Sequence, residues 1–278
     1  METWQPLSVR AGAREPDEPY EGAPPHLLGA LISWIDNDAI GHGSWNHRLL
    51  RHIITYAQAQ VPYSADGWTT ARRLYAYCSK DEGLCLNVID AYLQLAHPDD
   101  SDPDKTISAG NLRSILAAGG SVWTVSPDNR SLQRAVDPQT QAAIELATSF
   151  ADVTSNELRE AWARAYGRNP DPSDAWDHSI KAVEAILRKI ISPKNNLATL
   201  GTLIRDLRDG AHKFEFVLTN GLGGVPTLIA MLQLMYPNPD RHPGPDHRTP
   251  TLEEARAVVH LAVTIVQWSR DGQIVRKK

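Results

Sequence analysis

The run from Asp171 to Ile190, DPSDAWDHSIKAVEAILRKI, constrains the fold more than any other part of this chain. Asp171 is a capping residue, Pro172 suits the first helical position, and Asp174 places negative charge in the first turn, where the helix dipole favours it. Trp176, Ile180, Val183, Ile186, Leu187 and Ile190 then recur at helical spacing as one apolar stripe. Ser179, Ala182 and Glu184 lie to its side, so Glu184 is either exposed or turned toward a partner. Two further helical patterns, LATLGTLIRDLRD and VPTLIAMLQLMY, follow. A last helix opens at Leu252, where Thr251 and Glu254 form a capping box. Leu252, Ala255, Val258, Val259, Ala262, Ile265 and Val266 are its apolar side; Glu253, Arg256, His260 and Gln267 lie opposite. These elements predict a four-helix C-terminal domain over residues 171–278.

The preceding chain reads as helical too. Residues 1–25, rich in proline and acid and without periodicity, predict a disordered arm. HLLGALISWID, NHRLLRHIITYAQAQ, ARRLYAYC and LCLNVIDAYLQLA predict an N-terminal helical bundle over 26–98. Residues 99–170 read as a linker and connector: HPDDSDPDK as a solvated linker, NLRSILAAGG as a short helix, and SVWTV with SLQRAV as one short β-hairpin turning at SPDN. Asp137 with Pro138 opens another helix, and Thr154 with Glu157 a second capping box, on a helix ended by Gly167. The expected class is all-α.

A chain of 278 residues with 42% hydrophobic and 22% charged residues can bury a sizeable core. Its net charge of -5 argues against nucleic-acid binding by bulk charge and leaves room for a local basic site. No apolar run reaches the roughly 18 residues of a membrane span, and the N-terminus lacks a signal-peptide core, so a cytoplasmic protein without membrane contact is expected. Cys78 and Cys85, in CSKDEGLC, match no zinc or redox spacing and read as reduced and buried. His42, His47 and His52 step by five and diverge around a helix. Lys105 occupies the place where a calcium loop needs glycine, and GLGG at 221–224 has neither the strand nor the lysine of a phosphate loop. No metal or cofactor is expected.

The loop ahead of the last helix gathers Arg241, His242, His247 and Arg248 where helix amides favour an anion. DPSDAWDHSIKAVEAIL, TLGTLIRDL, the RH loop and LEEARAVVHLAVTIVQW together resemble the C-terminal domain of bacterial abortive-infection proteins, a branch of the HEPN superfamily. GGSVWTV, LQRAV and ELREAWARAYGRNPDP extend the likeness to actinobacterial proteins carrying that domain, over roughly residues 107 to 270. The resemblance implies a homodimeric, metal-independent endoribonuclease of phage defence, acting on RNA. Arg241 and His247, with five residues between, match its arginine–histidine motif, and Arg241 with His242 its RHG-like signature, from which Pro243 departs. It implies Arg241 as phosphate clamp, His247 or His242 as proton carrier, and Arg248 as phosphate anchor. Glu184, orienting Arg241, and His178 would flank the site. The alternative reading is a non-catalytic helical module that binds a protein partner, favoured by the acidic net charge, the stiff loop and the lack of a basic patch.

Overall fold

The computed structural model describes residues 7–15, 17–40, 46–96, 103–218, 224–241 and 247–277. The sequence readings on His42, on most of HPDDSDPDK, on residues 221–223 of GLGG and on His242 lie outside them. The described chain is all-α, and it divides into two compact units at Ala135 and Val136, each with its own apolar core. No separate connector is seen: the hairpin belongs to the first unit, and the helices after it to the second.

The first unit contains α1 (Leu7–Arg10), α2 (Pro25–Ile40), α3 (His47–Tyr56), α4 (Gly67–Cys78), α5 (Glu82–Ala96), α6 (Pro103–Ala118), β1 (Trp123–Val125) and β2 (Leu132–Arg134). Asn46 caps α3, accepting from the amides of Arg48 and Leu49, and Asp66 caps α4 through the amide of Thr69. α3 buries Leu50, Ile53 and Ile54, and α4 buries Ala71, Leu74 and Cys78. Fully burying one such leucine or isoleucine contributes about 1.5–3 kcal/mol, so these inward stripes fix the rotation of both helices.

Two expectations are corrected here. The arm over 1–25 is not free at its end: Tyr20 bridges to Ser121, Trp123 Nε1 donates to the Glu21 carbonyl at 2.9 Å, and Ala23 is buried. The indole N–H of a buried tryptophan needs an acceptor, and the arm supplies it. The short helix and the end of the linker are one helix, α6, begun by Pro103; Lys105 donates to Asp38 Oδ2 at 2.8 Å, giving that largely buried carboxylate a counter-charge.

The second unit contains α7 (Pro138–Ala147), α8 (Val153–Tyr166), α9 (Pro172–Ile191), α10 (Leu200–Asp209), β3 (Phe214–Phe216), α11 (Gly224–Met235), α12 (Leu252–Arg270) and β4 (Ile274–Arg276). The expected four helices are thus joined by α7 and α8. α9 is the centre, packed by α8, α10 and α12, with Ala175, Ser179 and Ala182 buried as well as the predicted stripe, of which Ile190 alone is only partly buried. α12 starts at Leu252 under the predicted capping box. The cap of α8 differs: Asp152 accepts from the Ser155 amide at 2.8 Å, while Glu157, expected in a capping box with Thr154, is engaged by His178. A second strand pair was not foreseen. Phe214 and Phe216 face inward with Glu215 outward, paired antiparallel to Ile274–Arg276.

Candidate functional site

The site is built where the loop after α11 meets the first half of α9. Asp171 caps α9 through the amide of Asp174 at 3.0 Å, so the helix starts where Asp174, Asp177, His178 and Lys181 come to one face, at i, i+3, i+4 and i+7. The loop is fastened to the same turn. Asn238, 2% exposed, donates from Nδ2 to the Ser173 carbonyl at 3.1 Å, and its own Oδ1 accepts the Asp240 amide at 3.1 Å. Ser173 Oγ donates to Asp240 Oδ2, and Trp176 Nε1 donates to the Met235 carbonyl at 2.7 Å. The two arms of the loop are drawn together as well: the amide of Arg241 donates to the Asn238 carbonyl and that of Arg248 to the Pro239 carbonyl, each at 3.1 Å.

These anchors hold Arg241 over α9. Its guanidinium Nη2 lies 4.0 Å from Asp174 Oδ1 and 3.9 Å from Asp177 Oδ2, with the side chain 52% exposed. His247 is equally open, its Nε2 3.8 Å from Asp240 Oδ1. Asp174 also meets Arg164 Nε of α8 at 3.1 Å, and Asp177 meets Lys181 Nζ at 3.1 Å. His178 Nδ1 bonds Glu157 Oε2 at 2.7 Å while its Nε2 lies 3.7 Å from Asp174 Oδ1, which places the ring beside the carboxylate that faces Arg241. Solvent-exposed pairs near 4 Å are worth about 0–1 kcal/mol, so the aspartates orient Arg241 without holding it against a competing phosphate.

Two of the expected site residues sit elsewhere. Glu184 does not orient Arg241. It is 9% exposed, its Oε1 accepts the Leu200 amide at 2.6 Å and its Oε2 pairs with Arg188 Nη2 at 2.6 Å, while Arg188 Nε donates to the Ala198 carbonyl. The group fastens α9 to the start of α10. Burial pushes its carboxyl pKa up, and the Leu200 amide and Arg188 oppose that rise. Arg248 is no open anchor either: its fork donates to both oxygens of Glu254, at 2.8 and 2.6 Å. That carboxylate, pulled down to about 2 by Arg248 and the Thr251 amide, supplies the negative charge that the α12 N-terminus favours. His242 lies outside the described residues.

The sequence reading missed Asp174, Asp177 and Asp240 as partners of the loop, and Asn238 as its anchor. The only signal in the chain is PNPD, residues 237–240, in which an asparagine between prolines suits a side-chain-closed turn. A further polar group in this unit joins Tyr166 Oη to His260 Nε2 at 2.7 Å, with Arg256 stacked 4.9 Å from the Tyr166 ring centroid. A cleft of about 270 Å³ lies at Ile191, Asp206, Lys213 and Arg276, and none of the site residues lines it. Comparison of the chain with protein-family models, with curated proteins and with solved structures finds no match.

Proposed function

We propose that this chain is a HEPN-like abortive-infection protein, a metal-independent endoribonuclease whose reacting groups are Arg241 and His247. The supporting observation is the loop itself. Anchored at Asn238 and Ser173, it keeps Arg241 half-exposed between two weakly bound carboxylates, with His247 on its other arm beside Asp240. Cleavage of RNA without metal needs a base for the 2′-hydroxyl proton, an acid for the leaving 5′-oxygen and positive charge at the phosphorane. An imidazole ring can both accept and donate a proton, which suits His247 for proton transfer, with His242 as the second carrier. Arg241 clamps two phosphate oxygens as charge develops, and Asp174 and Asp177 fix where it points. The proposal includes a homodimer, with two copies of the loop meeting across a two-fold axis. Sedimentation at micromolar concentration is expected to give a dimer, and a monomer removes that part.

One observation favours a second reading. Arg241 and Arg248 already face carboxylates of this chain, so their surface is charge-balanced and would suit a protein partner as a non-catalytic module. Expression of wild type against an Arg241→Ala, His247→Ala double variant separates the two. The ribonuclease reading expects growth arrest and fragmented total RNA with the wild type alone; intact RNA with both proteins selects the interaction module.

A further inference from the structure

A second arginine-bearing surface lies in the first unit, on α3, α4 and the loop between them. Since α3 buries Leu50, Ile53 and Ile54, its outer side carries Arg48, Arg51 and His52, about a turn apart. α4 turns Trp68, Arg72, Arg73 and Tyr77 outward, Arg72 one turn after Trp68 and Tyr77 one turn after Arg73. Tyr63 joins the two helices: the Arg51 guanidinium lies 5.9 Å from its ring centroid, and Arg73 Nη1 donates to the carbonyls of Pro62 and Tyr63 at 3.1 and 3.3 Å. Tyr63 therefore lies between Arg51 and Arg73, Tyr77 follows Arg73 by one turn, and Trp68 with Arg72 takes the other edge of the exposed side of α4, since nine residues turn a helix by about 900°.

The charge of this face runs against that of the chain. From Asn46 to Ser79 the acid is Asp66 alone, and its carboxylate is engaged in capping α4. Among the described residues no carboxylate pairs with Arg48, Arg51, Arg72 or Arg73. The rings are open as well: Tyr63 is 50% exposed, Trp68 42% and Tyr77 39%. An acidic peptide would use the guanidinium groups and leave the rings wet, whereas an apolar partner would strip water from four cations that no carboxylate neutralises. A single nucleic-acid strand uses both, with base faces on the rings and phosphates at the arginine forks. In a duplex the base faces are covered by stacking.

We propose that the α3–α4 face binds single-stranded nucleic acid, stacking bases on Tyr63, Trp68 and Tyr77 and contacting phosphates through the four arginines. The inference does not rest on the ribonuclease reading, since it uses none of the same residues. It is tested by fluorescence anisotropy on the full chain carrying Arg241→Ala and His247→Ala, so that cleavage cannot remove the probe. Labelled RNA and DNA single strands of about 15 nucleotides, within the usual site size, are compared with a duplex of the same sequence. Both single strands are expected to bind more tightly than the duplex; binding of RNA alone adds a contact to the 2′-hydroxyl and supports the proposal too. With about 0.7 counterions released per phosphate, four arginines predict a slope near -3 for log affinity against log salt. Trp68→Ala is expected to weaken binding roughly tenfold, and Arg51→Glu with Arg73→Glu to remove it, with the helical circular dichroism of both variants unchanged. No binding at low salt, equal affinity for the duplex, displacement by polyglutamate as readily as by unlabelled strand, or variants that bind like the parent would each overturn the proposal. If total RNA stays intact in the expression experiment while these titrations succeed, the ribonuclease reading fails and this one stands.

Discussion

On the second unit, Arg241 stands between Asp174 and Asp177 and Arg248 is gripped by Glu254, whereas on the first unit Arg48, Arg51, Arg72 and Arg73 meet no carboxylate among the described residues. The difference lies in the company that the cations keep. A guanidinium near two acids is held in direction, but its field is largely cancelled at a distance, so it can act on one phosphate in one place and adds little to capture of a polymer. Arginines that no carboxylate neutralises, set among exposed rings, would do the reverse under the binding proposed for them: they would attract a strand and tolerate many registers of it. Local charge, rather than the net charge of -5, decides what each surface can bind.

That division can be broken most sharply at Arg241. Arg241→Ala should lower single-turnover cleavage by about two to three orders of magnitude, as loss of a charge-stabilising donor does elsewhere, and leave affinity for the DNA single strand, which has no 2′-hydroxyl to be activated, equal to that of the wild type. A matching fall in affinity would mean that Arg241 captures the strand and that the two surfaces are not distinct in role. Next in size is Glu184→Ala. It leaves Arg188 and the Leu200 amide without their buried acceptor, and is expected to destabilise the second unit by about 2–3 kcal/mol, the usual range for a charged hydrogen-bonded group, read by urea denaturation. Lost cleavage with unchanged stability would instead restore Glu184 as the group orienting Arg241.

Smaller effects sharpen the same contrast. Thr251→Ala removes the cap acceptor of the Glu254 amide and should cost about 1 kcal/mol, again with strand binding unaltered; an unchanged denaturation midpoint would mean that the cap is replaced by solvent. The smallest is a pH effect at His260. Burial holds its pKa below the usual value near 6.5, an effect opposed by Asp137. As pH falls below about 6.5 the unfolded chain takes up a proton there before the folded chain does, so folding is progressively penalised until pH passes the lower, folded value. Stability of the second unit should therefore decline from neutral pH toward that window, and His260→Gln should flatten the decline. A steeper decline in the variant would contradict the assignment.

The parts legible in the sequence were those decided locally. Asp171 with Pro172, Thr251 with Glu254, and the turn at SPDN act within a few residues, and α9, α12 and the first hairpin follow from them. The pair Phe214–Phe216 and Ile274–Arg276 was not legible, because three alternating residues carry too short a period and the partner strand lies at the far end of the unit. At α8 the cap falls on Asp152, two residues before the expected Thr154, a carboxylate being the stronger acceptor. At the site, Arg241 and His247 stood out by their place before a capped helix, but Asp174, Asp177 and Asp240 take their roles from the way the loop folds onto α9. Glu184 was misplaced because spacing along a helix does not say which neighbour covers its flank, and α10 covers this one. The α3–α4 face escaped notice for a related reason: its arginines are dispersed in pairs along the chain, and only the packing of two helices brings them to one side.

Metal-independent cleavage of RNA by Arg241 and His247, as proposed, stands or falls on the ends that it leaves. The most direct measurement is mass spectrometry of product 3′ ends after purified protein is incubated with RNA in excess EDTA. The wild type is expected to leave 2′,3′-cyclic phosphate ends, and the Arg241→Ala, His247→Ala variant none. Cleavage that appears only on adding magnesium, or that survives loss of both Arg241 and His247, would contradict it.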